Sequence, residues 1–170
     1  MKLLPIYAKG KGVIAYTKVD DIVFDKLNDH KWYMFNNFGR LYVYRWVSHE
    51  GKYKRVWLAD EVSLIPPDKY YNDHWNGDTL DNRKENLRPS TMGENSCNRK
   101  KYSNNGSVYK GVEPVGKQWR AKITHNKVFT NIGYYSTEIE AAKAYDEAAV
   151  RLHGQFASIN FPEGMKEVKI

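Results

Sequence analysis

Cysteine is nearly absent from this chain. Cys97 is the single one in 170 residues, which excludes an intrachain disulfide and a cysteine-rich zinc site. Long apolar runs are missing too. No stretch approaches the ~20 apolar residues of a membrane span, and Met1 to Gly10 hold no apolar run of the kind a signal peptide carries. The expectation is a soluble protein of a reducing compartment, with no membrane as partner. Acidic residues are the minority: 20 Asp and Glu stand against 27 Lys and Arg, for a formal charge of +7 and a pI near 9.3. They are scarcest in mid-chain. Between Arg83 and Lys127, eleven Lys or Arg face only Glu85, Glu94 and Glu113, so this window holds the whole positive excess. A basic belt suits a polyanion such as nucleic acid. Charge by itself is equally compatible with a solvated surface.

What the sequence does hold is aromatic. Hydrophobic residues make up 41%, enough to form cores, and 13 Tyr and 5 Trp bring the aromatic share to 14%. Residues 1 to about 65 read as strands: Val13 to Tyr16, then Trp32 to Phe35 and Leu41 to Val47 around a turn at Asn36-Asn37-Phe38-Gly39, then Tyr53 to Leu58. Asp20 to His30 reads as a short helix, with Val23, Phe24 and Leu27 on one side. Pro66-Pro67 interrupts the pattern. A polar, turn-rich stretch runs from Asn72 to Arg83, then Asn86-Leu87-Arg88 can form a strand. Thr91 and Glu94 have capping-box spacing and predict a helix start at Thr91. The order is strand, long loop, strand, helix. Lys100 to Ser107 reads as a polar linker. Beyond it, Val108 to Val112, Gln118 to Thr124 and Val128 to Tyr134 read as three strands. A helix capped by Ser136 or Thr137 then reaches about Leu152, with Gly154 as its stop.

The string with chemistry in it is Asp73-His74-Trp75-Asn76-Gly77, then Asp81-Asn82-Arg83, Asn86-Leu87-Arg88 and Asn95. Asp73 ends a strand, and Asn95 near the first turn of the helix can face back toward it. A carboxylate and an amide carbonyl are hard oxygen donors, suited to Mg²⁺ or Mn²⁺ and not to zinc. His74 alternates to the other side of the strand from Asp73, where it can take a proton from water near neutral pH. Taken singly, an Asp-His pair is usually a surface turn and Asn-Gly an ordinary one. The joint order over about 25 residues is what carries the reading.

These positions resemble the HNH nuclease family, whose core is a ββα-metal motif. His74, Asn86 and Asn95 stand twelve and nine residues apart, and the flanking pattern Asp-His-x-Asn-Gly, Asp-Asn-Arg, Asn-Leu-Arg is that of phage homing-type members. The resemblance implies His74 as general base, Asp73 and Asn95 as ligands of Mg²⁺ or Mn²⁺, and Asn86 as the side chain that holds the loop aiming His74. The last family position is often His and is Asn95 here. Many members also carry a His-Arg pair upstream, where this sequence has Leu58-Ala59-Asp60.

Further on, Tyr109-Lys110-Gly111-Val112, Trp119-Arg120-Ala121-Lys122-Ile123, Ile132-Gly133-Tyr134-Tyr135, Ala141 to Ala149 and Asn160-Phe161-Pro162 resemble an AP2/ERF domain. That family implies a three-stranded sheet on one helix, with the sheet entering the major groove. Strand alternation puts Trp119, Ala121 and Ile123 on one face and Arg120, Lys122 and Thr124 on the other. The resemblance also points to Lys110, Glu113 and Asn131 as groove-side positions. Plant members have arginines where this chain has Glu113, Phe129 and Asn131, so their sequence preference does not carry over.

The expected fold is α+β. An HNH endonuclease domain would span 1–100, with a β-rich N-terminal segment leading into a ββα-metal core at about 68–99. A linker at 101–107, an AP2/ERF-like domain at 108–162 and a tail at 163–170 would follow. The expected function is metal-dependent hydrolysis of phosphodiester bonds in double-stranded DNA. Arg83, Arg88, Arg99, Lys100, Lys101, Lys110, Arg120 and Lys122 are the expected DNA contacts, and no obligate protein partner is expected. The architecture implies a phage-encoded protein acting in the host cytoplasm. The rivals are a DNA-binding regulator with an inactive HNH core, an RNA-directed protein, and a purely structural basic protein. The last leaves Asp73 to Asn95 unexplained.

Overall fold

The computed structural model describes residues 1–64, 70–99, 101 and 106–165. It is mixed α and β, with three sheets and four α-helices among those residues. The chain divides into two compact units, Met1–Met92 and Gly93–Ile170. The Pro66-Pro67 break, Lys100 and most of the expected 101–107 linker lie outside the described residues. Among the described residues no helix is long and apolar enough to cross a membrane.

The first unit is built on a five-stranded sheet of β1 (Lys2–Ala8), β2 (Gly12–Val19), β3 (Trp32–Asn37), β4 (Arg40–His49) and β5 (Lys52–Trp57), in the order β2-β1-β3-β4-β5. Neighbours are antiparallel except β1 and β3, which are parallel because helix α1 (Asp21–Asn28) carries the chain across between β2 and β3. Leu4, Ile6, Val19, Leu27, Trp32 and Val43 fill the core, joined by Leu58, Ala59 and Val62 of helix α2 (Leu58–Ser63) and by Leu87. Fully burying side chains such as Leu4 and Ile6 contributes about 1.5–3 kcal/mol each. The Trp32 indole N–H donates to the Leu27 carbonyl at 2.8 Å, so the largest core side chain enters with its polar atom satisfied.

Two elements here go beyond the sequence reading. The segment KLLPIYA is not among the strands expected from the sequence, and it contains Pro5, which cannot donate to a ladder. It fits because pairing with β3 begins only at Ile6 opposite Trp32, which leaves Pro5 paired on one side alone, opposite Tyr16. The expected strand over Tyr53 to Leu58 ends at Trp57, and Leu58 opens α2, burying Leu58, Ala59 and Val62 on the spacing of a helix face.

A two-stranded sheet of β6 (Tyr71–His74) and β7 (Leu87–Ser90) completes the first unit. The long loop between them is tied to β2. Lys18 N–H donates to the Leu80 carbonyl at 2.8 Å, Asn82 N–H donates to the Lys18 carbonyl at 2.9 Å, and a β-bridge links Lys18 with Asp81.

The second unit begins in helix α3 (Met92–Cys97). Its sheet, in the order β10-β9-β8, is formed by β8 (Val112–Val115), β9 (Gln118–His125) and β10 (Val128–Tyr135). The strand expected at Val108 to Val112 therefore starts where it was expected to end. Residues 107–111 instead form a turn, and the Asn160 side chain brackets Lys110: it accepts from the Lys110 N–H at 2.7 Å and donates to its carbonyl at 3.1 Å. Helix α4 (Glu138–His153) lies on the sheet through Ala141, Ala142, Tyr145, Ala148 and Ala149, all buried, against Val112, Ala121 and Ile123. Thr137 and Glu140 form the expected capping box, and Gly154 ends the helix. Gly111 is obligatory: its φ is +75°, and a Cβ there would run into the Tyr145 ring.

Candidate active site

Strand alternation separates the two side chains at the end of β6. Asp73 stands opposite Arg88 and His74 opposite Leu87, so Asp73 and His74 face opposite sides of the hairpin. Both are buried. On its side, the Asp73 carboxylate accepts from Arg88 Nε at 2.8 Å and lies 2.7 Å from Arg88 Nη2. The guanidinium stacks on the exposed Trp75 ring, 4.4 Å from its centroid. Arg88, expected as a DNA contact, is thus a buried counter-ion of Asp73.

On the other side, His74 Nε2 lies 3.2 Å from Asn82 Oδ1. The Asn82 amide is fixed: its Nδ2 donates to Thr17 Oγ1 at 2.9 Å and to the Thr79 carbonyl at 3.3 Å. Oδ1 therefore faces the imidazole as an acceptor, and Nε2 carries the hydrogen. In the neutral ring this leaves the proton-accepting lone pair on Nδ1. Burial pushes the His74 pKa below its ordinary value; the Asn82 hydrogen bond and the Asp73 charge oppose this without reversing it. The ring is neutral near pH 7, the state a general base requires.

The loop is closed by amides and ion pairs. Asn86 accepts from Asn76 N–H at 3.0 Å and donates to the Asp81 carbonyl at 2.8 Å, while its own carbonyl accepts from Trp75 N–H at 2.9 Å. Asp81 is buried and takes two bonds of 2.7 Å from Arg83, which holds its carboxyl below the usual range. Arg83 is also paired with Glu85. Thr17 is the site residue that sequence reasoning missed, and Asn82, in the Asp-Asn-Arg string, had no role assigned to it. Thr17 is one hydroxyl in a β-strand, and nothing near it in sequence marks it.

The remaining expected residues lie in the second unit. Asn95 is in α3, half-buried. Lys110 Nζ donates to the Cys97 and Arg99 carbonyls, both at 2.6 Å. Burial raises the Cys97 thiol pKa, so it is not an activated nucleophile. Lys101 bonds the Ser107 carbonyl, and Arg99 is exposed. Lys100 lies outside the described residues. On the sheet face away from α4, Glu113 accepts from both Arg120 and Lys122, which depresses its own pKa. Glu113 thereby offsets charge on two expected DNA contacts.

Among the described residues no three His, Cys, Asp or Glu side chains gather where they could hold a metal ion. The donor set to be weighed is smaller and includes an amide. Asp73 supplies one buried carboxylate, the hard donor that Mg²⁺ or Mn²⁺ prefers. Its contact with Arg88 shows that it already faces positive charge.

No family model matches the chain. It is 33% identical over 106 residues to Protein 3.8 of Escherichia phage T7, covering 61% of this chain and 84% of that protein. The chain belongs to the Protein 3.8 family. It is also 28% identical over 166 residues to a protein of Acanthamoeba polyphaga mimivirus named as an uncharacterized HNH endonuclease, across 91% of this chain and 79% of the other. A shorter similarity, 36% over 86 residues, links it to the ethylene-responsive transcription factor ERN1 of Medicago truncatula. That covers 48% of this chain and 32% of the plant protein. The chain is therefore distantly similar to a viral HNH endonuclease over most of its length and to plant AP2/ERF proteins over part of it.

Proposed function

We propose that the chain is a metal-dependent DNA endonuclease of HNH type that holds duplex DNA with an AP2/ERF-like second unit. The observation that carries this reading is His74: a buried, neutral imidazole with Nε2 fixed by Asn82, at the end of a strand whose preceding residue is a buried carboxylate. The long similarity to a protein named as an HNH endonuclease supports it.

His74 takes the proton of the attacking water on Nδ1. Asn82 and Thr17 keep the ring in that tautomer, and Asn86 holds the loop behind it. Asp73 and Asn95 would hold one divalent cation, Mg²⁺ or Mn²⁺, which supplies charge stabilisation at the departing 3′ oxygen. For Asn95 that role rests on the sequence resemblance. Arg88 is the counter-ion of Asp73 on that side of the hairpin. The sheet β8–β9–β10, packed by one face on α4, presents Arg120 and Lys122 to the duplex.

The test is conversion of supercoiled DNA to nicked or linear product with Mg²⁺ or Mn²⁺. EDTA should abolish cleavage, and His74→Ala should lower its rate by about 10²–10⁴-fold while duplex binding persists. Binding without cleavage by the wild type under all conditions would instead support the reading of a DNA-binding regulator on an inactive HNH core.

A further inference from the structure

The outer face of the first sheet is lined with aromatic rings. Cross-strand pairing sets Tyr33 opposite Tyr44, Phe35 opposite Tyr42, Tyr44 opposite Trp57 and Trp46 opposite Arg55. Alternation then puts Tyr33, Phe35, Tyr42, Tyr44, Trp46, Tyr53 and Trp57 on one face, with Arg55 among them. The core side chain Val43 points the other way. Rings of this face lie in tilted and edge-to-face contact with centroids 5.6–6.1 Å apart. The face is open: Trp46 is 48% exposed, Tyr53 75% and Phe35 36%.

Arg55 sits in the middle. Its guanidinium is 4.7 Å from the Phe35 centroid, 4.6 Å from Tyr44, 5.4 Å from Trp46 and 5.2 Å from Trp57. Its Nε is buried and has no hydrogen-bond partner among the described residues. Of the five cations on strands β3, β4 and β5, alternation puts Arg40 and Arg55 on the aromatic face and Arg45, Lys52 and Lys54 on the opposite one, and the three strands hold no Asp or Glu. Arg45, on the core side, is paired with Glu61. The aromatic face therefore has positive charge and no carboxylate from its own strands.

These features choose an occupant. A second copy docked by the same face would set two cationic surfaces against each other, with no carboxylate from these strands on either side. An apolar protein partner would desolvate Arg55 without pairing it, which is costly. A DNA duplex keeps its bases stacked on one another and offers the rings only phosphates. An unpaired strand offers both flat base faces and phosphates. We propose that the β3–β4–β5 face binds single-stranded nucleic acid: two or three bases stack on Phe35, Trp46 and Tyr53, and a phosphate approaches Arg55. Strands about 4.8 Å apart make a platform wide enough for that number of bases. The inference does not depend on cleavage and stands apart from the nuclease reading.

The test is fluorescence anisotropy of the full chain, with EDTA present, on labelled oligo-dT of 16 nucleotides and on a duplex of equal length. Double replacement Trp46→Ala, Tyr53→Ala should weaken single-strand binding by about 10-fold or more and leave duplex affinity within about twofold. Trp46→Phe alone should keep most of the single-strand affinity, since a ring remains. These side chains are exposed, and circular dichroism checks that the variants stay folded. Three outcomes overturn the proposal: no binding of oligo-dT by wild type, equal loss on both ligands, or single-strand affinity unchanged in the double variant. A wild-type dimer that the double variant converts to monomer, at the same oligo-dT affinity, would assign the face to self-association.

Discussion

Thr17 is the smallest participant in the candidate site and the one with the longest reach. From strand β2 its hydroxyl donates to the Leu80 carbonyl at 2.7 Å and accepts from Asn82 Nδ2 at 2.9 Å, in a fully buried position. Thr17→Val keeps the shape and removes both bonds. It should cost about 1–3 kcal/mol in stability, measured by denaturant unfolding, because the Leu80 carbonyl and the Asn82 amide are left buried with one partner fewer. Cleavage should fall with it, since Asn82 then loses what orients it toward His74. Unchanged stability and cleavage together would remove Thr17 from the positioning chain. At this scale the sequence offered half the picture. Asp73, His74 and Asn86 are legible because they sit in a spaced string. Thr17 is not, because its partners lie more than sixty residues away.

Among the elements, helix α4 shows how local signals and tertiary contacts divide the work. The Thr137–Glu140 box, the alanine spacing and Gly154 were all readable, and each is a contact along one stretch of chain. Where the helix meets the sheet was not readable. His153, in its last turn, donates from Nε2 to the Thr124 carbonyl of β9 at 3.3 Å and lies against His125, ring centroids 5.4 Å apart. Burial lowers the His153 pKa, and the nearby His125 and Lys110 charges act the same way; the Thr124 carbonyl opposes them. A histidine with a lowered folded-state pKa binds fewer protons folded than unfolded. Its contribution is complete above the unfolded value of about 6.5 and is lost as pH falls below it. Urea midpoints should therefore drop between pH 7.5 and pH 5, and His153→Gln should flatten that slope. An identical slope in the variant would show that His153 is not its source. His74, shifted in the same direction, adds to the same window.

For the whole molecule, charge counted along the sequence overstates charge available to DNA. The mid-chain belt looked like eleven cations facing three acids, yet Arg83, Arg88, Arg120 and Lys122 are held by Asp81, Asp73 and Glu113. Glu113 is the informative one, because it ties two cations on one sheet face. Glu113→Gln should raise duplex affinity at low salt and steepen the dependence of log K on log salt by about 1 or more, as each further neutralised phosphate adds about 0.9 to the slope. The same slope as wild type would mean that Arg120 and Lys122 do not meet phosphates. The N-terminal sheet carried no expected role. Its outer face held no recognisable motif, although its residues were in view as aromatic strands.

The sequence by itself determined what short range can carry: the hairpins, the helix caps, the mixed α and β character and the spaced Asp-His to Asn string, because their causes lie within a few turns or one loop. Only the tertiary structure decided which of these residues share a surface. It paired Arg88 with Asp73, set Thr17 behind Asn82 and gathered aromatic side chains from three strands around Arg55. Each of those arrangements depends on strand order and register, which are fixed by burying a common core and not by any neighbouring residue.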